Sequence, residues 1–274
     1  MKAISTKRFA KFALFGSAGL IALVYAADLA WTASGSSEWK QVVDRDGVQV
    51  HSYKAPGSHN TVFRGTVRGK YTQSQVVAAL MLENHSLENC KAWIPLCNEL
   101  KVIEPYSDRA QGDIVLWTLK MPIPLFKNRQ YVIKSQTTQD GKTGVVWIDI
   151  VAVANKVDLN NCCVRITHIH NRWQISPVRN GEVEIQLTQD FSLGGFFPDL
   201  LPNLGAGEET YKLLSSQLPG LINKTMYREA RFPYVKEPYA APVVDVEPEG
   251  AEAPPQTAPE VSAQTPSAGR AHNG

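Results

Sequence analysis

The sequence lacks most of the marks that catalytic and nucleic-acid-binding chains carry. No Gly-x-Ser-x-Gly nucleophile turn occurs. Gly205-Ala206-Gly207 is too short for a phosphate cradle, and no third glycine follows it. Only four cysteines occur in 274 residues, and none forms a Cys-x-x-Cys pair, which argues against a zinc ribbon or a redox motif. His168 and His170 would share one face of a strand, but no third ligand of suitable spacing joins them. An exposed sheet face is the expectation there, with no metal and no cofactor. Charge of one sign is also scarce. The 28 Lys and Arg nearly balance the 26 Asp and Glu, for a net charge of +2. That is too mild for a nucleic-acid protein, which needs a strong basic stripe. It fits weak attraction to an anionic membrane surface.

Long apolar runs are scarce as well. The run Phe12–Ala27 follows a basic start containing Lys2, Lys7, Arg8 and Lys11, and ends in small residues. It is shorter than the roughly 20 residues that span a bilayer core. Val24-Tyr25-Ala26 offers a small-residue cleavage site after Ala26. Residues 1–27 therefore read as a signal peptide or an uncleaved membrane anchor, with 28–35 as a linker. Either reading exports the rest of the chain to the periplasm or another extracytoplasmic space. The cysteines fit such a compartment. Cys90 and Cys97 could be bridged across a helix-to-strand turn. Cys162 and Cys163 are adjacent, and neighbours in a strand point to opposite faces, so they read as two separate buried thiols. Residues 233–274 hold 8 of the 17 prolines and no apolar period. Such a tail cannot bury enough surface to offset its ordering entropy and is expected to be disordered.

Residues 36–232 should form one folded domain. Trp39–Val43 suggests a short helix before the turn at Asp46-Gly47, and Val48–Tyr53 and Val62–Tyr71 alternate as strands. Gln73–Leu82 has helical spacing at Val76, Val77, Leu80 and Met81, and a second helix follows over 84–93. Six strands come next, at Leu100–Glu104, Ile114–Met121, Arg129–Thr138, Val145–Ala154, Val164–Ile175 and Val183–Phe191. Short turns between them predict antiparallel pairing, most strongly at Asn180-Gly181. Leu200–Arg231 carries one apolar stripe and predicts a long final helix, kinked at Pro219-Gly220. Strands in a block followed by a terminal helix argue for an α+β class.

Four segments carry a resemblance to a known family. They are Trp39 with DRDGVQVHSY and VFRGTVRG; Trp93 in CKAWIPLCNELKVIE; MPIPLFKNRQYVI; and CVRITHIHNRWQISPVRNGEVEIQL running into FSLGGFFPDLLPN. In order and spacing, residues 36–230 resemble the START (StAR-related lipid transfer) family, as an exported bacterial-type member. The resemblance implies a helix-grip fold, a curved antiparallel sheet wrapped around a long C-terminal helix. It also implies one lipid in a hydrophobic tunnel beneath that helix, and an Ω-type loop at Asn155–Asn161. Two departures stand out. Arg129-Gln130 replaces the family's Arg-Asp pair. Thr118 and Ser135 stand about where some steroid-binding members place an acid and a base.

Tunnel walls need aliphatic and aromatic side chains with a few convergent polar groups. Strand alternation turns Val115, Trp117, Leu119 and Met121 to one face, and Val183, Ile185, Leu187, Gln189 and Phe191 to another inward face. Tyr131, Trp147 and Trp173 add aromatics from the central strands. Phe196, Phe197, Leu200, Leu201 and Leu204, with Tyr211, Leu214 and Leu218, would close the roof. Plain core packing is the alternative for every one of these. Asp149 and Arg165 could pair across strands and meet a headgroup, or form a structural ion pair. The expected function is non-enzymatic binding, and transfer, of one phospholipid, fatty acid or sterol-like lipid by a monomer at a membrane surface. Two alternatives remain. One is a helix-grip cyclase or hydrolase using Asp149, His168 or Tyr211. The other is a membrane-anchored interaction module.

Overall fold

The structure, a computed structural model, describes residues 6–195 and 197–237. The tail beyond Glu237 and the expected roof residue Phe196 lie outside the described residues. An N-terminal helix α1 (Thr6–Ala33) runs through the boundary at residue 27 and into the expected linker. Among the described residues no helix is long and apolar enough to cross a membrane. The end of α1 is tied to the domain. The Lys54 ammonium donates to the carbonyls of Thr32 (3.3 Å) and Ser34 (2.8 Å), and the Gly57 N–H donates to Thr32 O (2.9 Å).

Next come β1 (Trp39–Arg45), β2 (Val48–Tyr53) and β3 (Val62–Gly69), then the helices α2 (Gln73–Leu82) and α3 (Leu87–Trp93). The helix expected at Trp39–Val43 is therefore a strand. Arg45 pairs with Val48 across Asp46-Gly47, both at positive φ (52° and 74°), which is the geometry of a tight two-residue hairpin rather than a helix end. The long strands follow as β4 (Cys97–Ser107), β5 (Gly112–Leu119), β6 (Asn128–Gln139) and β7 (Val146–Ala152). The meander ends with β8 (Cys163–Arg165), β9 (His170–Val178) and β10 (Glu182–Gln189). The sheet order is β1-β2-β3-β10-β9-β7-β6-β5-β4, with β8 paired to β6 off this path. Asn180 and Gly181 both have positive φ and close the β9–β10 turn.

The strand expected over Val164–Ile175 is split, for a reason visible in the register. β7 covers β6 only from Ile133 to Gln139. The first residues of β6 keep an open edge, and β8 fills it in parallel, Asn128 beside Cys163 and Gln130 beside Arg165. The chain then crosses over and returns as β9 beside β7. This parallel pair is the exception to the antiparallel expectation. Cys162 sits in the turn before β8, so strand alternation does not govern it, and it is bridged to Cys163. The reading of two separate thiols is corrected accordingly. Cys90 and Cys97 are bridged from α3 to β4.

The final helix is also broken. α4 (Leu200–Asn203) ends before Gly205, and α5 (Ala206–Lys212) runs through a π turn (Leu213–Gln217) into α6 (Leu218–Ile222). A separate α7 (Thr225–Arg228) follows the extended residue Lys224. Pro219 lacks the N–H that an α-helix would use and crowds the carbonyl one turn back. The helix takes up one extra residue just before it, and Leu218 N–H bonds Leu213 O, five residues earlier. The roof lies tightly on β3 because Gly65 has no side chain. A Cβ there would sit 2.4 Å from Leu214 Cδ1.

The sheet's inner face packs on α2 and the α5–α6 helix, with Val76, Ile148, Ile175, Ile185, Leu214 and Leu218 in the core. Both faces of β5 are covered. Ile114 and Leu116 pack with Val132 on the outer face, beneath Val153 and Val157. That second cover explains the poor alternation of β5 in sequence. Past Phe232 the chain stays packed. The Glu237 carboxylate accepts from the N–H groups of Gln73 and Ser74 (2.9 and 2.7 Å) at the start of α2.

Candidate functional site

A cavity of about 240 Å³ lies between the inner face of the sheet and the helices. Register builds its walls. Trp117 of β5 stands beside Tyr131 of β6, Ser135 of β6 beside Ile150 of β7, and Ile148 of β7 beside Trp173 of β9. Trp173 in turn stands beside Leu187 of β10. Because side chains repeat every two residues, these form one continuous inward face. Met81 from α2, Trp93 from the end of α3, and Leu213 and Leu221 on either side of the Pro219 kink close the other side.

Few polar groups reach this space. Trp117 Nε1–H is buried and has no hydrogen-bond partner among the described residues. Tyr131 stands next to it, and burial raises its pKa well above the usual phenol range, so it stays a protonated donor. Two donors thus sit side by side on an apolar wall. Four residues along β6, about 14 Å at 3.4 Å per residue, Ser135 marks a second polar level. Its neighbour across the strands is Asp113, whose Oδ2 faces His85 Nε2 at 3.3 Å. Asp113 Oδ1 has no partner among the described residues.

Glu83 is the charged group of the lining. Its side chain is only 4% exposed, and it accepts from the Tyr227 hydroxyl at 2.5 Å and from the Lys224 ammonium. Burial first, and the bond to Glu83 second, push the Tyr227 pKa far up. This cluster ties the segment after α2 to α7, across one end of the roof.

The structure brings six of the residues expected from sequence to this cavity: Trp117, Leu119, Tyr131, Trp173, Leu187 and Phe191. It places the others elsewhere. Met121 lies past the end of β5, where its N–H donates to Asn128 Oδ1. Trp147 alternates with the cavity residues Ile148 and Ile150 and faces away from it. Phe197 packs edge-on against Phe126 at 4.7 Å. Leu201 and Leu204 are exposed, Leu204 at 72%. Tyr211 donates to Asp46 Oδ2 at 2.5 Å and stacks with Arg45, on the outer side of the helix. Leu214 and Leu218 are wholly buried in the core against the sheet.

Asp149 and Arg165 do not meet. Asp149 accepts from Arg172 Nε at 2.5 Å on the solvent side. Arg165 bonds Gln130 Oε1 and the carbonyls of Ala154, Val157 and Asp158, and so pins the loop that covers the outer face of β5. Backbone carbonyls satisfy its fork in place of a carboxylate.

Sequence reasoning missed the contributions of α2 and α3, including Ala79, Met81 and Trp93, because a buried helix shows no mark of which face meets a space. Ile133, Ile148 and Ile150 were legible in principle, since they share the register of Tyr131 and Trp173.

No family model matches the chain. An uncharacterized protein of Pseudomonas aeruginosa is 25% identical over 169 residues, covering 61% of this chain and 79% of that protein. Among solved structures, a fragment of a STAR-related lipid transfer protein from Xanthomonas axonopodis superposes with a TM-score of 0.57 at 23% identity. The match covers 67% of this chain and 98% of that one. Human StAR-related lipid transfer protein 5 gives 0.52 at 14% identity, covering 75% and 95%. These likenesses establish the architecture. The chain has the α+β helix-grip fold of START-like proteins.

Proposed function

We propose that this protein binds a single lipid in the cavity beneath α5 and α6, without catalysis, and carries it between membrane surfaces as a monomer. The observation that carries the reading is an apolar space with one buried, unpartnered indole N–H on its wall. A buried donor left unbonded costs about 1–3 kcal/mol. A ligand oxygen placed between Trp117 and Tyr131 removes that cost. The cargo therefore has an apolar body and an oxygen acceptor such as an ester carbonyl or a hydroxyl. The three residues that the sequence offered to an enzyme lie away from the space: Asp149 pairs with Arg172, His168 with Asp190, and Tyr211 with Asp46.

The closed volume is below the roughly 300–1,000 Å³ usual for ligand sites. A full-length lipid displaces the roof at Leu213 and Leu221, beside the π turn. Two disulfides support an oxidising, extracytoplasmic setting, with the N-terminal segment as export signal or anchor. Solvent extraction of the purified protein and mass spectrometry of the extract tests the proposal. A lipid at about one per chain, lost on filling the cavity with Ile150→Trp, is expected. Absence of any bound lipid, together with no binding across a panel of phospholipids, fatty acids and sterols, would refute it.

A further inference from the structure

A second apolar space lies outside the sheet, separate from the cavity just described. It is a cleft of about 530 Å³ between α1, the loop joining β5 to β6, the strand β8 and α4. Ile21 and Val24 line it from α1, Leu125 and Phe126 from the loop, Val164 from β8 and Leu201 from α4. It shares no lining residue with the inner cavity. Its volume falls within the usual range for small-molecule sites.

Charge at the cleft is one-sided. Lys127 and Arg129 belong to its lining, which includes no carboxylate among the described residues. Arg129 is only 1% exposed. Its guanidinium donates to the carbonyls of Leu193 (3.0 Å), Lys127 (2.5 Å) and Gly194 (3.0 Å). Those bonds orient it but leave its charge unneutralised. No ion pair to it forms among the described residues, and burial lowers its pKa. A buried charge is normally paired. Lys127 is exposed, lines the same cleft, and is joined to Arg129 through its carbonyl. An apolar trough whose charged lining residues are both cations matches one acyl chain with one negative head.

We propose that this cleft is a second lipid site, which takes the anion of a long-chain fatty acid with its chain along α1 and its carboxylate on Lys127 beside Arg129. The inner cavity offers the reverse chemistry. Its charged lining residue is Glu83, already bonded to Lys224 and Tyr227, and no Lys or Arg belongs to its lining among the described residues, so a carboxylate finds a cation in the cleft and none on the inner wall.

The cleft needs Ile21 and Val24, so the proposal rests on the uncleaved reading of the N-terminal segment, and the test uses the full chain with α1 retained, its intact mass verified, and sodium oleate as probe. Ile150→Trp fills the inner cavity and isolates the outer site. In that background oleate should still bind at one per chain. Val24→Trp should abolish this binding, and Lys127→Glu should weaken it about tenfold or more, as expected for loss of a charged hydrogen bond. Methyl oleate, without the charge, should bind at least about tenfold more weakly than oleate. Oleate affinity unchanged by Val24→Trp or by Lys127→Glu overturns the proposal. So does binding to anionic vesicles with no binding of soluble oleate. Where Ile150→Trp fails to fold, a diazirine fatty acid on the wild-type chain replaces it. Labelling within 20–25 or 123–127 supports the outer site, and labelling confined to 79–94 overturns it. Failure of the inner cavity to bind lipid leaves these outcomes readable, since the outer site is scored alone.

Discussion

Removal of the Tyr227 hydroxyl should loosen the roof by a calculable amount. Tyr227 is buried, and its hydroxyl donates to Glu83 Oε2 at 2.5 Å. Glu83 is 4% exposed, so the bond is charge-assisted and shielded from water. Tyr227→Phe keeps the ring and deletes one donor. A hydrogen bond to a charged group contributes about 1.5–3 kcal/mol. For a domain of this size each kcal/mol moves Tm by about 2–4 °C. Thermal unfolding followed by near-UV circular dichroism should therefore show a loss of about 3–12 °C. Lys224 provides the control. It bonds the same carboxylate, but its side chain is 41% exposed. Lys224→Met should cost only about 0.2–1 kcal/mol, because water already competes for that charge. In the double variant with Glu83→Gln, Tyr227→Phe should lose much of its effect, since the two groups act as one unit. The reasoning fails if Tyr227→Phe changes stability by less than about 0.5 kcal/mol, the range of inconsequential surface changes. It fails equally if Lys224→Met costs more than Tyr227→Phe. Because the bond fastens α7 to the segment after α2, the same variant should also speed lipid exchange, read by stopped-flow transfer of a fluorescent lipid.

Three further outcomes follow from the geometry. Trp117→Phe removes the buried unpartnered N–H, so the lipid-free protein should hold or gain stability while lipid affinity falls about tenfold, measured by calorimetric titration. Arg165→Met should free the loop over 153–161 at a cost of about 1.5–3 kcal/mol. Hydrogen exchange should rise there and at Ile114 and Leu116, with lipid binding unchanged. Asp140 Oδ1 accepts from the Thr143 N–H and hydroxyl and from the Lys142 N–H, and these bonds hold its carboxyl below the usual carboxylate range. A depressed folded-state pKa gives stability that is present above the unfolded value of about 3.9 and lost as pH falls through the folded one. The Tm gap between wild type and Asp140→Asn should be open at pH 7 and close toward pH 3.

The sheet was legible because alternation and turn chemistry both reported on it. Asn180-Gly181 closes the β9–β10 hairpin, and Val183, Ile185 and Leu187 face inward as their spacing requires. Asp46-Gly47 carried the same kind of signal, which outweighs the helical look of Trp39–Val43. The split of β8 from β9 could not be read locally. It depends on where β7 stops covering β6, and that is a fact about another strand. The pairing of Arg165 was hidden for a related reason. Its partners are backbone carbonyls of a loop, and carbonyls leave no trace in side-chain identity.

The roof shows why the proposed lipid site is harder to read than the sheet beneath it. An unbroken helix of period 3.6 makes Leu214 and Leu218 candidates for the cavity. The π turn over Leu213–Gln217 adds one residue to the helix at this point. Leu214 and Leu218 pack in the core, and Leu213 and Leu221 line the space. The cause is in the sequence, since Pro219 forbids the ordinary bond to the preceding turn. The direction of the outcome is not, because a proline can be met by a kink, a break or an added residue. The added residue keeps the helix continuous over the cavity and places the wide turn, closed by Leu218 N–H on Leu213 O, beside the space. A roof built this way can bend at one defined place without unfolding. A cavity of about 240 Å³ needs that property if it is to take a whole lipid, as proposed.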